Sequence, residues 1–231
     1  MHATEQMAQM RLAYAAAGLD EADLAADWFT QFQRWFDEAV AAGLQEPNAM
    51  VLATASRDGV VAARTVLAKA VDAAGVVFYT NYESAKSHDI VENPSVAVTF
   101  PWYGLHRQVQ VRGVASRVTR QETEAYWALR PRGAQIGAWA SPQSTVIGSR
   151  AELDTLQIAV EQRFGGLDAA APGAAPVPAP EHWGGWRIAP HTVEFWQGRT
   201  DRLHDRLRFR RTDGSLGPAD DGHWIVERLA P

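Results

Sequence analysis

The stretch NAMVLATASRDGVVAARTVLAKA (residues 48–70) decides how the rest of the chain is read. Asn48 to Ser56 opens a strand of small and apolar residues, and Val60 to Ala70 makes a second. Between them Arg57-Asp58-Gly59 supplies a turn, because an Asp-Gly pair accepts the positive φ that a tight hairpin needs. GVVFYTN (75–81) adds a third strand after another short turn.

Working outward, Met7 to Ala17 and Asp27 to Ala42 read as helices. In the second, Trp28, Phe32, Trp35, Phe36 and Ala39 recur at helical spacing, with Gln31, Gln33 and Arg34 off that stripe. Ser84 to Glu92 is a short helix with Ser84 at its N-cap, stopped by Asn93-Pro94. Ser95 to Trp102 and Arg107 to Val118 are further strands. Thr119 starts a helix with Glu122 three residues on, the capping-box pattern, and Ser149 to Phe164 forms a longer one. GGLDAAAPGAAPVPAP (165–180) is low in complexity and reads as an extended surface loop inside the domain. Strands then resume over Trp186–Trp196, Arg202–Arg210 and His223–Leu229. Strands linked by short turns, with helices inserted between them, predict an α+β chain around an antiparallel barrel. We expect residues 1–231 to form one domain, with 1–20 a mobile arm.

Composition narrows the chemistry. The net charge of −5 excludes a global cationic field, so a nucleic-acid partner is not expected and any anion must be held by local Arg and Lys clusters. The absence of cysteine removes disulfides, thiolate nucleophiles, Fe–S clusters and Cys-type zinc sites. Seven His lie without ligand spacing, and no metal is expected. No apolar run is long enough to span a bilayer and the N-terminus is unlike a secretory signal, so cytoplasm is the expected compartment. Nine Trp suit either core packing or a planar aromatic ligand and a subunit interface. Dinucleotide, P-loop, zincin and nucleophile-elbow signatures are all missing.

What remains is cationic and amide side chains on strands. Period-2 alternation sends Arg64 and Lys69 to opposite faces. It puts Arg202, His204, Arg206 and Arg208 in one row, which either binds an anion or guards a solvated edge. Gln108, Gln110 and Arg112 face away from Val109 and Val111, as ring-edge contacts or simply as a wet face. Lys86 lies near a helix N-terminus, and Tyr126 and Arg130 share a helix face; both sets suit phosphate, and the latter suits an ordinary surface pair equally. Residue types alone say phosphorylated, aromatic ligands.

Taken in order, NAMVLAT (48–54), RTVLAK (64–69), FYTN (78–81), FPW (100–102), RQVQV (107–111), RPRGAQIGAWAS (130–141), WGGWR (183–187), EFWQG (194–198), RLHDR (202–206) and ERLAP (227–231) resemble the pyridoxamine/pyridoxine 5′-phosphate oxidases. The resemblance implies a split β-barrel homodimer binding FMN between its subunits. It implies oxidation of pyridoxamine or pyridoxine 5′-phosphate by O2 to pyridoxal 5′-phosphate, with release of H2O2. Residues similar to the family's FMN ligands are Arg64, Thr65, Val66, Leu67, Ala68, Lys69, Tyr79, Thr80, Lys86, Gln108, Gln143, Ser144, Trp196 and Arg206. Those similar to its substrate ligands are Lys69, Tyr126, Arg130, Arg202 and His204, with Arg11 and Tyr14 in an N-terminal segment that covers the substrate. Arg202 and His204 would frame the reacting carbon, His204 being the better proton acceptor.

Two positions depart from the family pattern. Ala85 stands where a cationic phosphate contact is common, and Ala134 where a serine faces the substrate phosphate. Each loses a donor whose charge-assisted bond is worth about 1.5–3 kcal/mol, unless Arg132 or a neighbour compensates. A split-barrel flavin or deazaflavin enzyme with another substrate, or a non-catalytic FMN or pyridoxal phosphate binder, is the alternative.

Overall fold

The computed structural model describes residues 18–212 and 224–231. The expected helix Met7–Ala17, with Arg11 and Tyr14, lies outside the described residues. The strands are β1 (Ala49–Ala55), β2 (Val61–Leu67), β3 (Ala70–Asp72), β4 (Gly75–Asn81), β5 (Ser95–Trp102), β6 (Arg107–Arg117), β7 (Trp183–Gln197), β8 (Asp205–Arg211) and β9 (Trp224–Arg228). The helices are α1 (Trp28–Ala41), α2 (Ala85–Glu92), α3 (Arg120–Ala128), α4 (Arg132–Ala140) and α5 (Arg150–Phe164). All strands join one antiparallel sheet in the order β2-β1-β5-β6-β7-β4-β3, with β8 on β7 and β9 on β8. The fold is an antiparallel split β-barrel with flanking helices, as expected.

β7 is where the barrel splits. One edge pairs with β6 from Trp186 onward, while the other pairs with β4 near its start and with β8 near its end. Its register against β6 shifts between Arg112 and Gly113, where a β-carbon on Gly113 would lie 2.1 Å from the Ala189 carbonyl oxygen. Only glycine lets the two backbones approach so closely there.

Alternation along the strands fills the barrel. Met50, Leu52, Phe78, Val98, Phe100, Val109, Val111, Val193 and Phe195 are fully buried. Helix α1 closes this core with the apolar stripe read from the sequence, Phe32 packing edge-on to Phe100 at 5.0 Å and Trp35 to Phe195 at 5.3 Å. Asp27 caps it by accepting from the Thr30 N–H, satisfying an otherwise orphaned donor. A second core gathers Trp127, Ile136, Phe164, Val177, Ala179 and Trp183 between α3, α4, α5 and the chain entering β7.

Several expectations need correction. The strand expected over 60–70 ends at Leu67, and β3 begins only at Ala70. Asn48 creates that corner, its carbonyl accepting from the Ala68 N–H and its side chain donating to the Ala68 carbonyl. Lys69 therefore lies outside the strand whose alternation was used to place it. The strand expected from Arg202 begins at Asp205; Thr200–Arg202 is a short 3-10 turn with Asp201 and Arg202 at φ 56° and 62°. Arg202 and His204 thus both lie outside the strand that carries Arg206 and Arg208. The Ala/Pro-rich segment is the surface loop expected, exposed over most of 167–176, but its end packs inward, with Val177 and Ala179 buried. Its carbonyls accept from Trp127 Nε1 and Trp139 Nε1. At the end of the expected mobile arm, Leu19 is buried and its N–H donates to Asp205 Oδ2 at 2.9 Å.

Candidate functional site

The first cluster is cationic and forms where β2, β4 and α2 meet. Lys86 Nζ reaches Gln143 Oε1 at 2.9 Å, Ser84 Oγ at 3.1 Å and Thr80 Oγ1 at 3.2 Å, while Thr80 Oγ1 donates to Gln143 Oε1 at 2.8 Å. Arg64 is held by Thr54 Oγ1 at 2.7 Å and lies 3.8 Å from Asp89. Burial, and then the charge of Arg64, lower the Lys86 ammonium to about 8. Burial also lowers Arg64, against the opposing pull of Asp89. Two cations brought together while losing water is an arrangement stabilised by a bound anion. Ala85 is exposed beside it, and the adjoining Ser144 is exposed with φ 71°.

The second cluster is aromatic. Tyr79 and Tyr126 stack at 4.1 Å, and Trp183 lies nearly parallel to both rings. Arg130 does not share a helix face with Tyr126, since α3 ends at Ala128; it sits 4.7 Å above Trp183, with Nη2 donating to the Ala134 carbonyl at 3.0 Å. Its Nε is buried without a hydrogen-bond partner among the described residues. A buried guanidinium N–H in that state calls for an acceptor, and a phosphate or carboxylate oxygen supplies one. Arg132 does not compensate for Ala134. Its guanidinium donates to the carbonyls of Gly166, Ala175 and Phe164 at 2.8, 2.9 and 2.6 Å and so staples the Ala/Pro-rich segment.

The third cluster crosses the far end of β7. Gln108, Trp196 and Arg206 stand opposite one another on β6, β7 and β8. Arg206 is forked onto Glu194 at 2.7 and 3.1 Å, and Arg208 and Arg210 share Glu227. Carboxylates thus relieve the repulsion along the arginine row. His204 packs on Trp196 with ring centroids 4.6 Å apart, and its Nδ1 accepts from the Arg199 N–H at 3.0 Å. With Nδ1 accepting, the imidazole proton sits on Nε2. Arg202 is exposed beside it.

Lys69 borders a hollow of about 410 Å³ beneath α1, with Phe29, Phe36 and Asn48, whose lining does not include Tyr126 or Arg130. Thr65 to Leu67 finish β2 beyond Arg64, and Ala68 follows at the corner. The clusters are also far apart along β7. Thr80 lies opposite Gly184 and Gln108 opposite Trp196, a span of up to about 40 Å at ~3.3 Å per residue. Sequence reasoning missed Ser84, Thr54, Trp183 and Glu194 as supports. Glu194 alone had a signal, its position two residues before Trp196 on the face that carries the arginines across from it.

A sequence profile described as pyridoxamine 5′-phosphate oxidase matches residues 36–162, and one described as the pyridoxine 5′-phosphate oxidase C-terminal dimerisation region matches 183–231. The chain belongs to the pyridoxamine 5′-phosphate oxidase family. It is 53% identical over 229 residues to a pyridoxine/pyridoxamine 5′-phosphate oxidase of Saccharopolyspora erythraea, covering 99% of this chain and 96% of that one. It is 54% identical to the corresponding protein of Salinispora arenicola, over 97% of this chain and 96% of the relative. Among solved structures it is similar to PhzG from Burkholderia lata in complex with tetrahydrophenazine-1-carboxylic acid, with a TM-score of 0.82 and 26% identity. That match covers 95% of this chain and all of the other. The described residues contain no helix long and apolar enough to cross a membrane and no group of three metal-ligating side chains.

Proposed function

We propose that this chain is an FMN-dependent oxidase of pyridoxamine 5′-phosphate and pyridoxine 5′-phosphate, acting as a homodimer with O2 as oxidant and H2O2 as by-product. The observation that carries the reading is a pair of separate anion sites, the desolvated Arg64–Lys86–Gln143 cluster and the buried Arg130 Nε on its aromatic floor. Two sites suit two phosphates, one on the cofactor and one on the substrate. The dimerisation region matched at 183–231 supports the homodimer. The wide separation of Lys86 from Trp196 and Arg206 along β7 supports a flavin that meets each set on a different subunit.

FMN, when bound, supplies the hydride acceptor that no protein side chain provides. Arg64, Lys86, Thr80 and Gln143 hold its phosphate, and Gln108, Trp196 and Arg206 flank its ring edge. Tyr126 and Arg130 anchor the substrate phosphate, so that fixed orientation supplies much of the rate. Lys69 joins that pair from the β2–β3 corner. His204, with Nδ1 engaged by the Arg199 N–H, orients the substrate's amine or hydroxyl through an Nε2 donor. Arg202 adds a permanent positive charge and is not a base, since guanidinium keeps its proton.

The likeness to PhzG favours a second reading, oxidation of a tricyclic carboxylic acid, since Arg130 would meet a carboxylate as well as a phosphate. It leaves the family resemblance of the Tyr126–Arg130 pair without a use. Aerobic turnover of FMN-loaded protein with pyridoxine and pyridoxamine 5′-phosphates, following the aldehyde, decides between them. Product should form, and Arg202→Leu should lower kcat/KM by at least about tenfold with FMN still bound. Unchanged turnover in that variant removes Arg202 from the reacting carbon. No turnover by FMN-loaded wild type rejects the reading as a whole.

A further inference from the structure

We propose that Arg187 is a positioning residue for the substrate phosphate, acting through the two elements that bracket it. The inference rests on the reading that Lys69, Tyr126 and Arg130 hold that phosphate. Arg187 is half-buried on β7, opposite Val77 of β4. Its Nη1 donates to Asp72 Oδ1 on β3 at 2.5 Å, and its Nη2 to Glu122 Oε1 on α3 at 3.3 Å. One guanidinium therefore ties a sheet edge to a helix.

Both tethered elements need the tie. β3 is three residues long, stands at the end of the sheet and pairs only with β4 among the described residues. It follows directly on Lys69, whose own N–H donates to the Val77 carbonyl. Few backbone bonds thus fix the Lys69 corner, and Asp72 is its other anchor, Oδ1 also accepting from the Ala74 N–H that closes the turn into β4. On the helix side, Glu122 divides its carboxylate. Oε2 accepts from the Thr119 N–H and hydroxyl in the capping box, leaving Oε1 for Arg187. Tyr79 adds a second tie, its hydroxyl donating to the Glu122 carbonyl at 3.3 Å while its ring stacks on Tyr126. The first turn of α3 is thereby set against the sheet one turn before Tyr126, in the helix whose end at Ala128 leads into Arg130.

An ion pair of this exposure contributes little to stability by itself. Its geometric consequence is larger. Release of Arg187 frees the Lys69 corner and α3 to drift independently, and a phosphate held from both sides loses affinity. The loss should fall mainly on substrate binding, because Arg187, Asp72 and Glu122 are not among the residues assigned to FMN and the Lys86 cluster and the Trp196 row stay intact.

The test uses FMN-loaded protein, with steady-state kinetics on pyridoxine 5′-phosphate and equilibrium binding of pyridoxal 5′-phosphate followed by absorbance. Arg187→Gln should raise KM and weaken pyridoxal 5′-phosphate binding by about tenfold each, with kcat within about twofold and FMN affinity lowered much less than that. Arg187→Lys, which reaches one carboxylate at a time, should restore part of the loss. If Arg187→Gln fails to fold, Asp72→Asn and Glu122→Gln each break one arm and should each weaken binding several-fold. Pyridoxal 5′-phosphate binding and KM equal to wild type in the folded variants overturn the proposal, as does a loss confined to kcat. Wild-type protein that loads FMN but neither binds nor oxidises the phosphorylated compounds overturns the functional reading, and the proposal with it.

Discussion

Lys86 is a cation kept at a disadvantage, lowered to about 8 by burial and by the neighbouring Arg64 charge. Below that value the ammonium is already present for a phosphate; above it, binding must restore the proton. FMN affinity should therefore be flat from about pH 7 to 8 and then fall by at most tenfold per pH unit. For the unliganded protein the sign reverses. Between about 8 and ~10.4 the unfolded chain binds a proton that the folded chain lacks, so this group's contribution to stability rises with pH. Fluorescence titrations of FMN across that range check the first claim, and Lys86→Gln should weaken binding at pH 7 and remove the slope. A slope that survives in the variant assigns it to another group. Lys86 was legible as an anion contact from its place near a helix N-terminus. Its partners Thr80 and Gln143 were legible only through the family resemblance, because they come from positions 63 residues apart. Nothing local announces Arg130 Nε as an unpartnered donor either, since that depends on which carbonyls the fold leaves within reach.

Among the elements, the hairpin at Asp58-Gly59, the apolar stripe of α1 and the capping box at Thr119 were all readable, because each is a contract between residues a few positions apart. Gly59 does adopt φ 80°, and Thr119 and Glu122 do bond reciprocally. The failures cluster where a distant partner intervenes. Lys69 left its strand because Asn48 turns the corner at Ala68, and Arg202 left its strand for a left-handed turn that local pattern cannot foresee. The Ala/Pro-rich segment has the composition of a linker, yet Arg132 and two tryptophans hold its carbonyls. Helix α4, which presents Arg132 to that segment, was not foreseen as an element. Arg132→Ala should therefore destabilise the protein by about 2 kcal/mol through three lost charge-assisted bonds to partly exposed carbonyls. Urea unfolding reads this directly. A change under about 0.5 kcal/mol would mean that water replaces the guanidinium without loss.

At the scale of the molecule, the two halves of the proposed flavin site stand at opposite ends of β7. If each flavin draws on both subunits, one copy's Lys86 works with the other's Arg206. Lys86→Ala and Arg206→Leu proteins should each bind FMN poorly. After unfolding and refolding together they should recover about a quarter of the wild-type sites, since half the dimers are mixed and each mixed dimer has one intact site. No recovery in the mixture would place both residues at one site within a single chain. The residue sequence by itself determined the antiparallel architecture, the apolar faces of strands and α1, and the family, because alternation, turn chemistry and ordered motifs are properties of neighbouring residues. Tertiary structure alone decided that Arg132 is a structural staple, that His204 Nδ1 accepts from the Arg199 N–H, that the arginine row is paired with Glu194 and Glu227, and that Arg187 links a sheet edge to α3. Each of those is an interaction between segments far apart in the chain, and only closure of the barrel brings them within hydrogen-bond distance.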